Sequence, residues 1–402
     1  MGDPSLPDTI LYFGNDWDAE NRTSSHHVAR WLARRFRVLY FESPGLRTPH
    51  ASGRDFRKVL TKLRRFVQGP RRVEERLWVQ TLLHVPLHRF VVVRALNRAL
   101  TRLTVAMLKR RYHVDKPIAW FVVPHLAAVA GSLGQALSVY YCTDDYPTMP
   151  GVDTAAVRRM DDDLTRKADL VFAASATLLE RKRALNSAAH LSPHGVDFEH
   201  FHSAQDPALR VPEDVARVQG PVVGFFGLVE RWIDVDLLAW LAEQRPAWRF
   251  VMIGRVALPE SEVPRKANLL FLGQRPYADL PAYGKRFDVA IIPYRLTPQV
   301  LHANPIKLRE YLALGKPIVS VSTPEIDAFA DWVRIARTRE EFLAALDRAV
   351  AQGLSDEERT RQLELASTLT WDAQLEKVMR IVQDRLAEIG RPREALLEER
   401  SP

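Results

Sequence analysis

Short apolar runs alternate with helical stretches along this chain, and the alternation restarts midway; no other feature restricts the fold as much. Residues 10–13 read as a strand ending at Gly14-Asn15, residues 24–35 as a helix, and residues 37–41 as a second strand closed by Ser43-Pro44-Gly45. Such a unit pairs its strands in parallel through a right-handed crossover. Further strands are expected at 77–83, 118–123, 137–142 and 169–173, with helices at 90–111, 152–166 and 176–185 between them. A stretch rich in Pro, Asp and Gln at 203–221 interrupts the pattern, which resumes with strands at 222–227, 250–253, 269–272, 289–292 and 318–322. The expected fold class is α/β: two Rossmann-like, doubly wound domains facing a cleft, with ligands at the carboxyl ends of the strands. The domains are expected at 1–205 and 206–370, followed by a C-terminal helix and a charged tail over 371–402.

No apolar run approaches the ~18 residues of a membrane-spanning helix, and the start of the chain lacks the regions of a secretory signal. The single cysteine, Cys142, excludes an internal disulfide and a cysteine-rich metal site, so a cytosolic protein is the expectation. The net charge of +8 is concentrated. Between Arg54 and Arg72 eight basic residues face one acid, Asp55, while Phe56, Val59, Leu60, Leu63, Phe66 and Val67 recur at helical spacing. The segment 54–72 therefore reads as a basic amphipathic helix for an anionic membrane surface, or as a helix that packs its apolar stripe and leaves its charges in water. No aromatic-interleaved basic strand accompanies it, which argues against nucleic acid as a partner.

The segment from Asn304 to Pro317 carries the sharpest local signal. Asn304 is a candidate N-cap, Pro305 suits the first helical position, Gly315 suits a left-handed stop, and Pro317 bars continuation. Leu308, Tyr311 and Leu312 make a core-facing stripe; Lys307 and Glu310 share another face. Open amides beside a lysine suit a phosphate, and the carboxylate one turn on suits a sugar's vicinal hydroxyls. A surface Lys–Glu pair on an ordinary helix is the alternative.

This helix resembles the nucleotide-sugar-binding helix of the GT-B glycosyltransferases. The commonest branch of that group has two glutamates eight positions apart. Glu310 matches the second, but His302 stands at the first, which moves the resemblance toward the bacterial exopolysaccharide and teichuronic-acid type, including the xanthan glucuronosyltransferase type, with their Asn-Pro-x-Lys helix. The resemblance implies a UDP- or GDP-linked sugar as donor substrate, no cofactor and no metal, a ribose anchor at Glu310, and a last helix crossing back to the first domain. Without the first glutamate, inversion at the sugar carbon is the expected outcome. Pro193-His194-Gly195-Val196-Asp197 resembles the Asn-Gly-Val-Asp turn that precedes the interdomain linker in these enzymes, with His194 in place of Asn.

Asp144 and Asp145 follow the 137–142 strand, where a base could take a proton from an acceptor hydroxyl; they could equally be loop or capping residues. The run from Tyr140 to Tyr146 resembles the strand-plus-Asp element holding the proposed base in the exopolysaccharide enzymes, which favours Asp144 narrowly. The loop 15–27 is too polar and aromatic for a plain connector. It resembles the acceptor-side loop of those enzymes, which makes Asn15, Trp17, Asn21, Arg22 and His26 candidate acceptor contacts and His27 a candidate catalytic histidine. A histidine at a helix amino end tends to stay neutral. In the second domain Gly227 and Gly254 let main chain approach a diphosphate, Arg231 and Arg255 could neutralise it, and Tyr294 could line the base and sugar pocket. Those glycines could instead serve tight turns. Asp161-Asp162-Asp163 sits within a helical pattern and reads as a solvated acidic face.

Together these features point to a metal-independent hexosyl- or glycuronosyltransferase, peripheral to the inner membrane of a bacterium. It would move a sugar from a nucleotide-sugar to a glycan or lipid-linked acceptor in cell-surface polysaccharide synthesis. A nucleotide-sugar epimerase of the same fold and a non-catalytic membrane adaptor are the rivals.

Overall fold

The computed structural model describes residues 7–18, 23–43, 53–85 and 90–390, the side chains of 53–60 excepted. Two compact units divide the chain: Met1–Pro193 with Leu375–Pro402, and His194–Gln374. The division falls ahead of the 205/206 boundary read from composition. Residues 194–205 build into the second unit because Val196 bridges Thr370 and Phe201 is buried in that unit's core. The 203–221 stretch also packs there through Ala204 and Val215 rather than hanging as a bare linker.

The first unit's sheet contains β1 (Thr9–Gly14), β2 (Arg37–Glu42), β3 (Arg71–Glu74), β4 (Leu77–Thr81), β5 (Ile118–Phe121), β6 (Leu137–Cys142), β7 (Leu170–Ala173) and β8 (Ala189–Leu191). They lie in the order β3-β4-β2-β1-β5-β6-β7-β8, all parallel except β3 against β4. Register explains the solidity of its centre. Tyr12 pairs with Tyr40 and Trp120 on one face, and Phe13 with Phe41 and Phe121 on the other. The rings stack across three strands, at centroid separations of 4.8 to 5.1 Å for Phe13–Phe121, Phe13–Phe41 and Tyr12–Tyr40.

Three helices of this unit bear on function: α1 (Ser24–Ala33), α2 (Gly53–Gln68) and α3 (Val91–Arg111). The basic segment 54–72 is not one helix. It ends as helix at Gln68, Gly69 turns the chain at φ +79°, and Arg71 and Arg72 belong to β3. Nor is Asp161 part of a solvated face. It is 3% exposed and receives hydrogen bonds from the Tyr140 hydroxyl and the Lys182 ammonium, a buried ion pair inside the unit.

The second sheet is wholly parallel: β9 (Val222–Phe226), β10 (Arg249–Ile253), β11 (Leu269–Gly273), β12 (Val289–Ile292), β13 (Ile318–Val321) and β14 (Arg334–Ala336), in the order β11-β10-β9-β12-β13-β14. The chain builds outward from β9 to β11, then returns to the other side of β9. In sheets of this kind the reversal opens a crevice at the carboxyl ends, here between β9 and β12. One apolar core fills each face of the sheet.

Candidate functional site

In the second unit, Gly227 and Gly254 follow β9 and β10 directly, at φ +151° and +147°. A methyl group on Gly254 would fall 1.9 Å from the Gly227 carbonyl oxygen, so only glycine allows the two chains to close this near. A methyl on Gly227 would come within 3.1 Å of the Lys307 side chain. The bare main chain at the sheet's end is therefore covered by one cation. Lys307 lies 5.0 Å over the Phe226 ring and donates to Glu310 at 2.7 Å.

That pair stands on the Ile306–Ala313 helix, in which every residue from Leu308 to Ala313 is buried. Tyr311 anchors it to the sheet: the Phe226 N–H donates to the Tyr311 hydroxyl at 3.1 Å. At the far end Gly315 adopts φ +61°, and the Gln205 and Gln362 amides donate to the carbonyls of Leu314, Leu312 and Lys316. The helix thus has its carboxyl end satisfied, while Pro305 at its start caps no amide by a side chain.

Asn304 does not cap this helix. Its carboxamide oxygen accepts the His194 N–H at 3.2 Å, and its amide nitrogen donates to Glu325. Beside them lies Arg309, 3% exposed, with its guanidinium 5.5 Å from the Phe329 ring and in the field of Glu325. Burial lowers its pKa to about 10. Burial, reinforced by Arg309, also lowers His194 to about 3, which keeps that imidazole neutral. This buried polar group was not foreseen. Arg309 directly follows Leu308 of the core-facing stripe, and a charge buried there needs a partner.

The remaining donor-side candidates stand further out. Arg231 is more than half exposed and pairs with Glu262 at 3.5 Å. Arg255 is exposed on the loop after β10, where its carbonyl accepts the Val229 N–H. Tyr294 is half-buried just past β12, its main chain bridged to Ile233.

In the first unit, the side chain of Asp145 is buried and bound to Arg181 at 2.9 Å. Asp144 is half-buried on the loop after β6, its carboxylate accepting the Asp145 N–H at 2.8 Å. The structure thus distinguishes the two acids: Asp145 is buried against Arg181 and Asp144 is half-buried on the loop.

His26 has a structural place. Its Nδ1 accepts the Thr23 N–H at 3.1 Å, closing the first turn of α1 as a capping glutamate would. The ring proton must then sit on Nε2, which donates to the Trp17 carbonyl at 3.1 Å. His27, the next residue, is half-buried. Trp17 packs on Tyr40 and His26, carries Arg30 above its ring, and donates its main-chain N–H to the Glu42 carboxylate at 3.2 Å. The Asn15 carbonyl accepts the Tyr40 hydroxyl at 2.7 Å. Asn21 and Arg22 lie outside the described residues. The nearby acids Asp16, Asp18 and Glu42 come within 4.8 Å of one another, but Lys62, Arg65 and Arg71 bind the first two.

Residues 220–354 match the family model described as Glycosyl transferases group 1. A Bacillus subtilis protein, TuaH, named as a teichuronic acid biosynthesis glycosyltransferase, is 22% identical over 395 residues, which cover 91% of this chain and 94% of TuaH. Among solved structures, the Escherichia coli trehalose-6-phosphate protein bound with UDP-2-fluoro glucose superposes with a TM-score of 0.64 at 13% identity, covering 94% of this chain and 99% of its own. HepE of Anabaena, in complex with UDP and glucose, gives 0.60 at 16% identity over 93% and 98%. The chain therefore has the GT-B fold, with a group 1 glycosyl transferase domain in its second unit. These likenesses support a glycosyltransferase of the GT-B type.

Proposed function

We propose that this protein transfers a hexosyl or glycuronosyl group from a UDP- or GDP-linked sugar to a glycan or lipid-linked acceptor in cell-surface polysaccharide synthesis. The enzyme would work at the cytoplasmic side of the bacterial inner membrane. One observation carries the reading: two chain-crossing glycines end neighbouring strands beneath a lysine held by a buried glutamate. A diphosphate would rest on that main chain with Lys307 and the open amides of the Ile306–Ala313 helix meeting its charge. Glu310 would hold the ribose hydroxyls, and Lys307 would exchange part of its bond to Glu310 for the phosphate. On this reading the helix and lysine would meet the leaving-group charge without a metal.

Asp144 would take the proton of the acceptor hydroxyl as its oxygen attacks the sugar carbon. The bond from that carbon to the diphosphate oxygen breaks, and the nucleoside diphosphate leaves. With His302 where the commonest branch places a glutamate, the displacement would invert the anomeric centre. The names of TuaH and HepE's bound UDP and glucose support this substrate class.

The test is titration of the protein with UDP and GDP. Lys307→Ala is expected to weaken the preferred nucleotide by roughly tenfold to a hundredfold, the worth of one charge-assisted contact. Undiminished binding by that variant would overturn the reading. Incubation with nucleotide-sugar alone separates the rival, since an epimerised product without acceptor would make the protein an epimerase.

A further inference from the structure

Helix α3 buries three uncharged polar residues and leaves several large apolar ones exposed. Asn97, Thr101 and Thr104 are buried with Leu108, at spacings of three and four residues, while Val92, Leu96, Leu103 and Met107 stand 80%, 47%, 59% and 47% exposed on the opposite face. A helix on a water-facing surface does the reverse. Six of the twelve exposed large apolar side chains among the described residues fall between Phe90 and Met107, so the patch is concentrated. The inward polar groups hold the chain that leads into the helix. Asn97 exchanges hydrogen bonds with the Val85 main chain at 2.8 and 2.9 Å, and Thr101 meets His84 at 2.7 Å.

At the first turns of α3 lies a cavity of about 450 Å³. Arg94 and Arg98 of α3 and Arg159 of the Thr154–Lys167 helix line it, against one acid, Asp163; His84 and His125 line it from strand-end loops. Val91, 69% exposed, belongs to its wall, so the basic cavity continues into the apolar face. An anion with an apolar tail matches both surfaces; a free anion would leave the outer stripe unused.

The helix expected to face a membrane ties up part of its charge. In α2, Lys62 and Arg65 are turned to Asp16 and Asp18, at 3.9 and 2.8 Å. No helix among the described residues is long and apolar enough to cross a bilayer, and in α3 Arg94, Arg98 and Arg102 interrupt any such run. A helix of this kind lies along the surface, its apolar face among the acyl chains and its arginines at the head groups.

We propose that α3 docks this protein on a bilayer, with Val92, Leu96, Leu103 and Met107 in the acyl layer and the phosphate of a lipid head group held in the cavity by Arg94, Arg98 and Arg159. The inference deepens the glycosyltransferase reading by making the acceptor side lipid-borne, but the docking itself does not depend on that reading.

Flotation of the full chain with vesicles of phosphatidylcholine, with and without phosphatidylglycerol, tests it, with UDP titration run alongside. The wild type is expected to float with the anionic vesicles. L96E/L103E, which alters two exposed positions, is expected to lose roughly a hundredfold in vesicle affinity while UDP binding stays as in the wild type. R98Q/R159Q is expected to lose about fivefold per charge on anionic vesicles and nothing on neutral ones. The proposal is overturned if the wild type does not float, or if L96E/L103E floats unchanged. It is equally overturned if R64E/R65E in α2 alone abolishes flotation, if the wild type is a dimer that L96E/L103E dissociates, or if inorganic phosphate binds at Arg98 and Arg159 while vesicles do not. Absence of both UDP and GDP binding in the wild type would sink the donor reading and leave flotation to decide this one.

Discussion

At the carboxyl end of the second unit's sheet the chain presents main chain: Gly227 and Gly254 leave β9 and β10 bare, and one lysine–glutamate pair lies over them. At the same end of the first unit's sheet it presents side chains. Trp17, His26 and Glu42 interlock after β1 and β2, His125 follows β5, and Asp144 and Asp145 follow β6. The two ends are built alike in topology and differ in what they can recognise. A diphosphate has one shape whatever sugar it carries, and main chain with a cation suffices for it. A surface made of aromatic, imidazole and carboxylate groups suits a ligand that must be told from its chemical relatives.

The difference can be broken most forcefully on the glycine side. Gly254→Ala is expected to destabilise the protein by about 3 kcal/mol or more, because the new methyl meets main chain that cannot yield. Urea unfolding, with UDP binding as companion, reads this; a variant as stable as the wild type would mean that the close approach is not needed.

In the first unit the paired acids sharpen the contrast. Asp144→Asn is expected to lower turnover by about a hundredfold to ten-thousandfold with an unchanged unfolding midpoint. Asp145→Asn should instead cost about 2 kcal/mol of stability, since it strips the buried partner from Arg181, itself one-third exposed. Steady-state rates beside unfolding curves distinguish them, and an exchange of the two phenotypes would reverse the assignment.

A further effect concerns pH. The His194 imidazole binds a proton at about pH 3 when folded and near its ordinary 6.5 when unfolded. The unfolded chain therefore takes up the proton first. As pH falls from 6.5 toward 3, stability is lost by up to ~1.4 kcal/mol per unit from this group. His194→Asn should flatten that limb relative to the wild type in melting temperatures taken from pH 7 to pH 4. Parallel curves would show that the ring is not held neutral.

What could be read beforehand was what neighbours in sequence decide. The Lys307–Glu310 pairing and the Gly315 stop follow from helix geometry over a few residues, and the alternating runs were enough to give two sheets parallel but for β3. Asn304 looked like a cap because the residues around it allow one; its partners, Glu325 and His194, are distant in sequence and only the fold brings them near. Asp161 looked solvated beside Asp162 and Asp163, yet Lys182 on the following helix draws it inside. Helix α3 was recognisable as a helix, while the face it buries could not be assigned, since its apolar and polar stripes are both continuous. The basic segment was misjudged in length because Gly69 and β3 fall inside one unbroken charge cluster.

The first unit takes strands from the start of the chain and, from Leu375 onward, the last helix, with Glu376 paired to Arg35. A ribosome must therefore deliver the whole of the second unit before the first can be completed. Nascent chains halted near residue 200 hold all eight strands of the opening sheet but lack the last helix that joins its unit, so that unit has to wait, unfinished, while the second one is made.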